Sequence, residues 1–242
     1  MPSVNGFSAA QIRAAEAPHL AAGEPLMLRA AEGLAAAIQD LLATDEGRGS
    51  DENRIVVLVG PGNNGGDALY AAARLSAAGL DVRIVPVADR LHEEGLAAAL
   101  EAGAVVETHS DSTELARGAR VLVDGLFGIG SAGRHSVALR GPARVVVEGI
   151  LSIPAERRPP VVAVDLPSGI DADSGAVPAP TVLPARLTVT FGAAKAGLLL
   201  SPASTFVGEL LVVDIGIGDE LAKVRPIVRA SVETHPEYRA ES

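Results

Sequence analysis

The chain has 242 residues, 48% of them hydrophobic and 2% aromatic, and a formal net charge of −10 at pH 7. This length and apolar content suit one large α/β domain, or at most two small ones. The acidic charge and the presence of only two lysines, Lys195 and Lys223, argue against nucleic-acid binding, which depends on basic contacts to phosphates. The absence of cysteine excludes disulfides and thiolate metal sites.

The N-terminal part of the sequence predicts helices. Ser8 and Gln11 have the spacing of a capping box, and residues 25–43 carry apolar side chains at helical intervals. We therefore interpret residues 1–50 as a helical segment. The sequence contains no run of about 18 apolar residues, the length needed to span a membrane, and residues 1–15 lack the features of a signal peptide. We therefore expect a cytoplasmic protein without membrane contact.

From residue 51 onward, strands and helices are predicted to alternate. Strands are predicted over residues 55–59, 82–87, 105–107, 121–124, 161–165, 187–191 and 210–214. Helices are predicted over residues 67–78, 93–102, 112–118 and 139–151. Continuous β-branched runs separated by helices indicate a parallel, doubly wound sheet that is buried on both faces. The shorter connections between the last three strands predict a mixed or antiparallel edge.

Three predicted strands end in polar, turn-rich sequence. The three segments are residues 60–67, 124–134 and 165–171. Ligands of open parallel sheets bind outside the carboxyl ends of the strands, where the strand order reverses. If the three strands are neighbours, the three segments converge on one crevice.

The first polar segment contains the most informative motif of the chain. Its glycines at positions 60, 62 and 65 satisfy the dinucleotide-binding pattern G-x-G-x-x-G between a strand and a helix. Backbone N–H groups and the positive end of the helix favour an anion there. The adjacent Asn63 and Asn64, with Asp67, are more polar than a plain phosphate loop requires. We infer that this segment binds something more than a pyrophosphate.

Oxygen-bearing side chains in the three segments indicate a cation site. Asn64, Asp124 and Ser168 would bring an amide, a carboxylate and a hydroxyl to the same crevice. One carboxylate among neutral oxygens suits sodium or potassium better than zinc. Ser168 is not predicted to be a nucleophile, because its surroundings lack the G-x-S-x-G pattern and a matching histidine.

Each of these residues also has a purely structural interpretation. Asp67 could favour the first turn of its helix, and Asp124 and Asp165 could serve as turn or cap residues. The glycines of residues 128–133 could form a plain flexible connection.

Together these motifs resemble one known family, the YjeF N-terminal domain or NAD(P)H-hydrate epimerase family. The resemblance covers roughly residues 8–220. It is carried by residues 62–67, by Asp124 with residues 128–130, and by residues 164–175. Residues 187–192 with Lys195, and residues 207–216, resemble the C-terminal signature of the family.

The resemblance implies a single domain over residues 1–242 with a Rossmann-like three-layer α/β/α sandwich. The central sheet would be mostly parallel, with helices on both faces. The helical segment 1–50 would precede a body over residues 51–220 and a tail over residues 221–242. The implied activity is interconversion of the R and S epimers of hydrated NADH and NADPH (NADHX and NADPHX).

The resemblance also assigns roles to individual residues. It implies one potassium ion per subunit, held by Asn64, Asp124 and Ser168. Asp165 would be the catalytic acid/base, with a pKa that burial would have to raise. The substrate would contact Asn63, Asn64, Gly65, Gly66, Asp67, Gly128, Ile129, Gly130, Ser131, Ala132, Gly133, Arg134 and Asp165.

Two features of the chain concern its partners. Many bacterial relatives carry a C-terminal dehydratase domain, and this chain ends too soon to contain one. The resemblance therefore implies a free-standing epimerase that supplies the S epimer to a separate ADP- or ATP-dependent dehydratase. A homodimer is implied by the resemblance alone.

Two other functions compete with this interpretation. The G-x-G-x-x-G pattern, with Asp89 after the second predicted strand of the body, suits a nicotinamide-dependent oxidoreductase that binds a ribose hydroxyl. A clear catalytic Tyr–Lys or His pair for such chemistry is missing. A non-catalytic binding module on the same fold is the second alternative.

Overall fold

The computed structural model describes residues 3–44, 53–108, 111–131, 137–231 and 238–240. Its helices are α1 (Ala9–Ala21), α2 (Leu26–Thr44), α3 (Asn63–Ala77), α4 (Glu93–Glu101), α5 (Ser112–Arg117), α6 (Gly141–Leu151) and α7 (Gly218–Leu221). Its strands are β1 (Ser3–Phe7), β2 (Arg54–Val59), β3 (Asp81–Pro86), β4 (Val105–Val106), β5 (Val121–Gly125), β6 (Val161–Val164), β7 (Leu187–Phe191), β8 (Ala194–Lys195), β9 (Glu209–Val213), β10 (Val228–Ser231) and β11 (Tyr238–Ala240).

The central sheet is parallel throughout the described residues. Its strand order is β11-β9-β7-β6-β5-β2-β3-β4, and every neighbouring pair is parallel. The predicted α/β fold is thereby confirmed, but the predicted mixed or antiparallel edge is wrong. The connections over residues 165–186 and 192–208 are long enough to bring the chain back to the end of the sheet where the strands begin, as a parallel connection requires.

The sheet is covered on both faces, which confirms the three-layer sandwich. Along β2, Ile55, Val57 and Val59 belong to the same core as the buried residues of α2 and α3. Val56 and Leu58 point to the other face and share a core with α5 and α6. Alternating side chains of one strand therefore serve two cores, which explains why β2 is a continuous apolar run.

The N-terminal segment is helical only from Ala9 onward. The predicted capping box is present, because the Ser8 hydroxyl accepts from the Gln11 N–H and the Gln11 side chain accepts from the Ser8 N–H. Residues 3–7, which we predicted to be helical, instead form β1. This strand pairs antiparallel with β10 and parallel with β8 in a small second sheet. Its partners lie nearly the whole chain away, so local periodicity could not reveal it.

The strand order places the predicted site segments together. The chain runs from β2 outward through β3 to β4, then returns to β5 and continues outward on the other side of β2. The order therefore reverses between β2 and β5. The three polar segments follow β2, β5 and β6, which are consecutive neighbours, so their predicted convergence on one crevice is confirmed. No helix in the described part of the chain is long and apolar enough to cross a membrane.

Candidate active site

A cavity of about 800 Å³ opens at this switch point. Its walls come from α1 and α2, from the start of α3, and from the segments after β5 and β6. A volume of this size falls in the range of small-molecule and cofactor sites. The predicted residues Asn63, Asn64, Asp67, Gly128, Ile129, Gly130 and Asp165 line it.

The remaining predicted contact residues have other positions. Gly65 and Gly66 are buried beneath the cavity and are not part of its lining. Ser131 ends the 3₁₀ turn Ile129–Ser131. Ala132, Gly133 and Arg134 lie outside the described residues.

Residues 63–67 of the glycine-rich segment form the start of α3, and only residues 60–62 precede the helix. The helix begins at Asn63, four residues earlier than predicted, and its N-cap Gly62 has no side-chain capping bond. A Cβ at Gly60 would lie 1.8 Å from the Leu126 oxygen, and a Cβ at Gly65 would lie 2.1 Å from the Gly60 oxygen. These two glycines therefore let α3 and the segment after β5 pack directly against the end of β2.

Asp124 and Ser168 form one buried hydrogen-bonded unit. The Ser168 hydroxyl donates to Asp124 Oδ1 at 2.7 Å, and the Ser168 N–H donates to Oδ2 at 2.9 Å. The Phe127 N–H donates to Ser168 Oγ at 2.9 Å. Burial raises the pKa of Asp124, while the bonds from Ser168 and Leu126 oppose that rise.

The chemistry of this unit fits a hard cation of low charge. A carboxylate, a hydroxyl and the Phe127 carbonyl oxygen, 3.2 Å from Ser168 Oγ, meet within one buried region. Asn64 is 7% exposed, and its Nδ2 has no partner among the described residues, so its amide is incompletely satisfied. The backbone oxygen of Asn64 lies close to Gly125, since a Cβ placed on Gly125 would be 3.7 Å from that oxygen. Asp124 and Ser168 therefore lie together, whereas Asn64 makes no hydrogen bond to either of them, and the three-residue cation site stays a prediction.

Asp165 has both an unusual backbone and a complete set of partners. It is the only non-glycine residue in the described ranges with a positive φ, 68°, which turns its side chain into the cavity. Lys195 forms an ion pair with Oδ1, the Thr190 hydroxyl lies 3.2 Å from the same oxygen, and the Ile129 N–H donates to Oδ2 at 3.3 Å. The carboxyl is 5% exposed, so burial is present as expected, but a cation accompanies it.

Lys195 is a site residue that the sequence analysis did not assign to the site. Its side chain is 1% exposed, and besides pairing with Asp165 it donates to Thr190 Oγ1 at 3.0 Å and to the Phe191 carbonyl at 2.9 Å. A lysine is almost never fully buried without a charged partner. Its position after a β-branched strand, in a chain with only two lysines, was the available signal.

Two further carboxyl groups line the cavity. Burial raises the pKa of Asp67 well above its usual range, and the nearby charge of Asp165 adds to the effect while Lys195 opposes it. Burial also raises the pKa of Glu16, which α1 brings to the cavity wall. The structural interpretation of Asp67 as a first-turn residue does not hold, because α3 begins four residues before it. Glu16 gave no local signal.

Fold and site together define an α/β protein with a polar ligand crevice at the switch point of a parallel sheet. Residues 23–197 match the family described as YjeF-related protein N-terminus. The chain therefore belongs to that family.

Similar proteins carry consistent names. An NAD(P)H-hydrate epimerase of Clavibacter michiganensis is 46% identical over 94% of this chain and 96% of its own length. One from Microbacterium testaceum is 42% identical over 95% of this chain and 86% of its own length. A bifunctional NAD(P)H-hydrate repair enzyme of Mycobacterium tuberculosis is 40% identical over 87% of this chain, which corresponds to 41% of that longer protein. The crystal structure of yeast ynu0 has the same fold, with a TM-score of 0.68, 22% identity, and coverage of 80% of this chain and 83% of that one.

Proposed function

We propose that this chain is an epimerase that interconverts the R and S forms of hydrated NADH and NADPH. Relatives with that name match it over nearly their full length. The observation that carries the proposal is the buried Asp165 carboxyl at the switch-point cavity, where a nicotinamide ring would be enclosed.

The chemistry of the substrate fits a carboxyl group at this position. The damaged nicotinamide carries a hydroxyl on the carbon beside the ring nitrogen, and the nitrogen lone pair can help to expel it. A group that gives and takes protons there would let water return on either face of the ring. Asp165 is the proposed acid/base residue, a role typically worth about 10²–10⁴-fold.

The proposed contacts to the hydrated cofactor include the cavity-lining residues Asn63, Asn64, Asp67, Asp165 and residues 128–130. Residues 63–67 and residues 128–134, with Asp165, would surround the dinucleotide. The open N–H groups at the start of α3 suit its pyrophosphate in a protein that has few basic residues.

The proposal includes a potassium ion at the Asp124–Ser168 unit, with Asn64 as its third side-chain ligand. The support is the single carboxylate of Asp124 among the neutral oxygens of Ser168 and Phe127. A bound cation would supply a fixed positive charge beside the phosphates of the substrate.

The proposal also includes a functional partner and a location. The bifunctional relatives join this type of domain to a longer chain, so a separate ADP- or ATP-dependent dehydratase would consume the S form made here. We propose a cytoplasmic location, where NADH and NADPH are used.

A coupled assay tests this function. R-NADHX is mixed with an S-specific dehydratase and its nucleotide. The chain is added at about 100-fold lower concentration than the substrate, and NADH recovery is followed in potassium chloride. We expect a large acceleration over the no-enzyme rate that Asp165→Asn removes. Replacing potassium by tetramethylammonium at equal ionic strength should reduce the rate of the wild type but leave Asp124→Asn, already slow, unchanged.

The same assay separates the alternatives. Recovery at the spontaneous rate, from protein shown to be folded, would favour the binding module. Consumption of authentic NADH with a carbonyl substrate would favour the oxidoreductase, but Asp89 is exposed and lies outside the cavity lining, which argues against that function.

A further inference from the structure

The carboxyl groups of Asp67 and Asp165 line the same cavity but differ in their partners. Asp165 accepts from Lys195, from the Thr190 hydroxyl and from the Ile129 N–H. Across the described ranges, no hydrogen bond or ion pair reaches the carboxyl group of Asp67. One carboxyl is therefore surrounded by donors and the other by none.

This difference separates the roles that the two groups can take. The donors around Asp165, an ammonium among them, fix the position of its carboxyl group. A carboxyl group that is withdrawn from water without donors is more stable when it is neutral. Asp67 is half-buried by surface area and lines the cavity, and burial raises its pKa as described above.

The two groups reach the cavity from different elements. Asp165 follows β6, whereas Asp67 lies in α3, which follows β2. Strand β5 runs between β6 and β2, and both carboxyl groups line the cavity together with residues 128–130 of the segment that follows β5. In the arrangement proposed below, the substrate ring lies over residues 128–130 with one carboxyl group toward each of its faces.

We propose that Asp67 is a second catalytic residue, the general acid that acts across the cavity from Asp165 as the general base. This inference rests on the proposed epimerase function and divides the acid/base work of that site between two groups. Inversion at the hydroxyl-bearing carbon moves the hydroxyl from one face of the ring to the other, and a pair of carboxyl groups serves both faces more directly than a single one.

The proton and electron balance of the reaction is as follows. Asp67 gives its proton to the hydroxyl, the carbon–oxygen bond breaks with its electron pair on the departing water, and the nitrogen lone pair forms a C=N bond. Water then attacks the other face, the C=N pair returns to nitrogen, and Asp165 takes the released proton. Water in the cavity returns that proton from Asp165 to Asp67. In a ring-opening route, Asp165 takes the hydroxyl proton and Asp67 protonates the ring nitrogen as the carbon–nitrogen bond breaks.

The proposal predicts the sign of one pH limb. For the epimer whose hydroxyl faces Asp67, this group must carry its proton, so kcat for that epimer falls as pH rises through the pKa of Asp67. The charged and titratable groups that face Asp67 are Asp165, Lys195 and Glu16. Glu16 is the one that could be mistaken for it, because burial raises its pKa as well.

The experiment measures kcat and KM between pH 5.5 and 9.5 for the wild type, Asp67→Asn and Glu16→Gln, with both pure epimers as substrates. Asp67→Asn should lower kcat by about 10²–10⁴-fold, keep KM within a few-fold, and remove the alkaline limb for the epimer whose hydroxyl faces Asp67. Glu16→Gln should keep the alkaline limb. Asp67→Glu should restore part of kcat, and thermal melting should show that all variants are folded.

The outcomes distinguish the two proposals. A wild type without activity would reject the epimerase function itself. An active wild type whose alkaline limb survives in Asp67→Asn, or disappears in Glu16→Gln, would overturn the assignment of Asp67 alone. A rise in KM at unchanged kcat would also overturn it, since it would make Asp67 only a binding residue.

Discussion

At the scale of residues, the site depends on one buried ion pair. Lys195 is fully buried, pairs directly with Asp165, and shares with it a contact to the Thr190 hydroxyl. Such a pair is weak support for stability as a whole, but breaking it by removing one partner is costly because the other charge stays buried. Lys195 therefore fixes the position of the Asp165 carboxyl group, and removal of either partner should destabilise the protein.

The chain's other lysine provides a matched control for this ion pair. We expect Lys195→Met to lower the free energy of unfolding by about 3–5 kcal/mol, measured by urea titration. The exposed Lys223, paired with Glu220 at the surface, should change stability by about 0.5 kcal/mol or less in Lys223→Met. Because it removes both charges, the double variant Lys195→Met/Asp165→Asn should be more stable than Lys195→Met alone. Equal losses in the two lysine variants would contradict the ion-pair account.

At the scale of elements, the segment after β5 approaches the start of α3 so closely that there is no room for a side chain at Gly128. A Cβ at Gly128 would lie 2.6 Å from Asn64 Oδ1 and 3.1 Å from Asp165 Oδ2. Two residues further on, a Cβ at Gly130 would meet nothing within 4 Å. The segment therefore has one position where a methyl group enters the site and a nearby position where it does not.

This difference predicts opposite results for two alanine substitutions. Gly128→Ala should displace the Asn64 amide or Asp165 and lower kcat/KM by roughly 10–100-fold, as sub-ångström to ångström misplacements do. Gly130→Ala should remain within about 2-fold of the wild type, since its methyl group has open space and no strained φ. Steady-state kinetics with thermal melting would check both, and an equal effect of the two substitutions would count against the described packing.

At the scale of the whole molecule, the features that could be predicted are those set by the order of residues along the chain. The apolar runs and the turn residues that follow them were enough to predict the parallel sheet and the convergence of the segments that carry Asn64, Asp124 and Asp165. The start of α3 was misjudged, because glycines and asparagines usually favour turns while tertiary packing here holds them in a helical turn.

The parts that escaped prediction depend on contacts between distant segments. Strand β1 exists only by pairing with β8, 188 residues further along the chain, and with β10, 222 to 228 residues further along. Glu16 reaches the cavity because α1 packs over it, and Lys195 because β8 follows β7 back toward Asp165. Glu16 has no local pattern that distinguishes a site residue from a solvated one, and the sequence signal for Lys195 was only its place after a β-branched strand.

The most direct test of the account is to follow the two epimers themselves. Pure R-NADHX and pure S-NADHX are incubated separately with the chain in potassium chloride, and both forms are separated and quantified over time without any dehydratase. We expect the enzyme to bring both reactions rapidly to the same epimer ratio, and Asp165→Asn to leave each at its spontaneous rate. If the folded wild-type chain leaves both epimers at the spontaneous rate, the epimerase function proposed here is wrong.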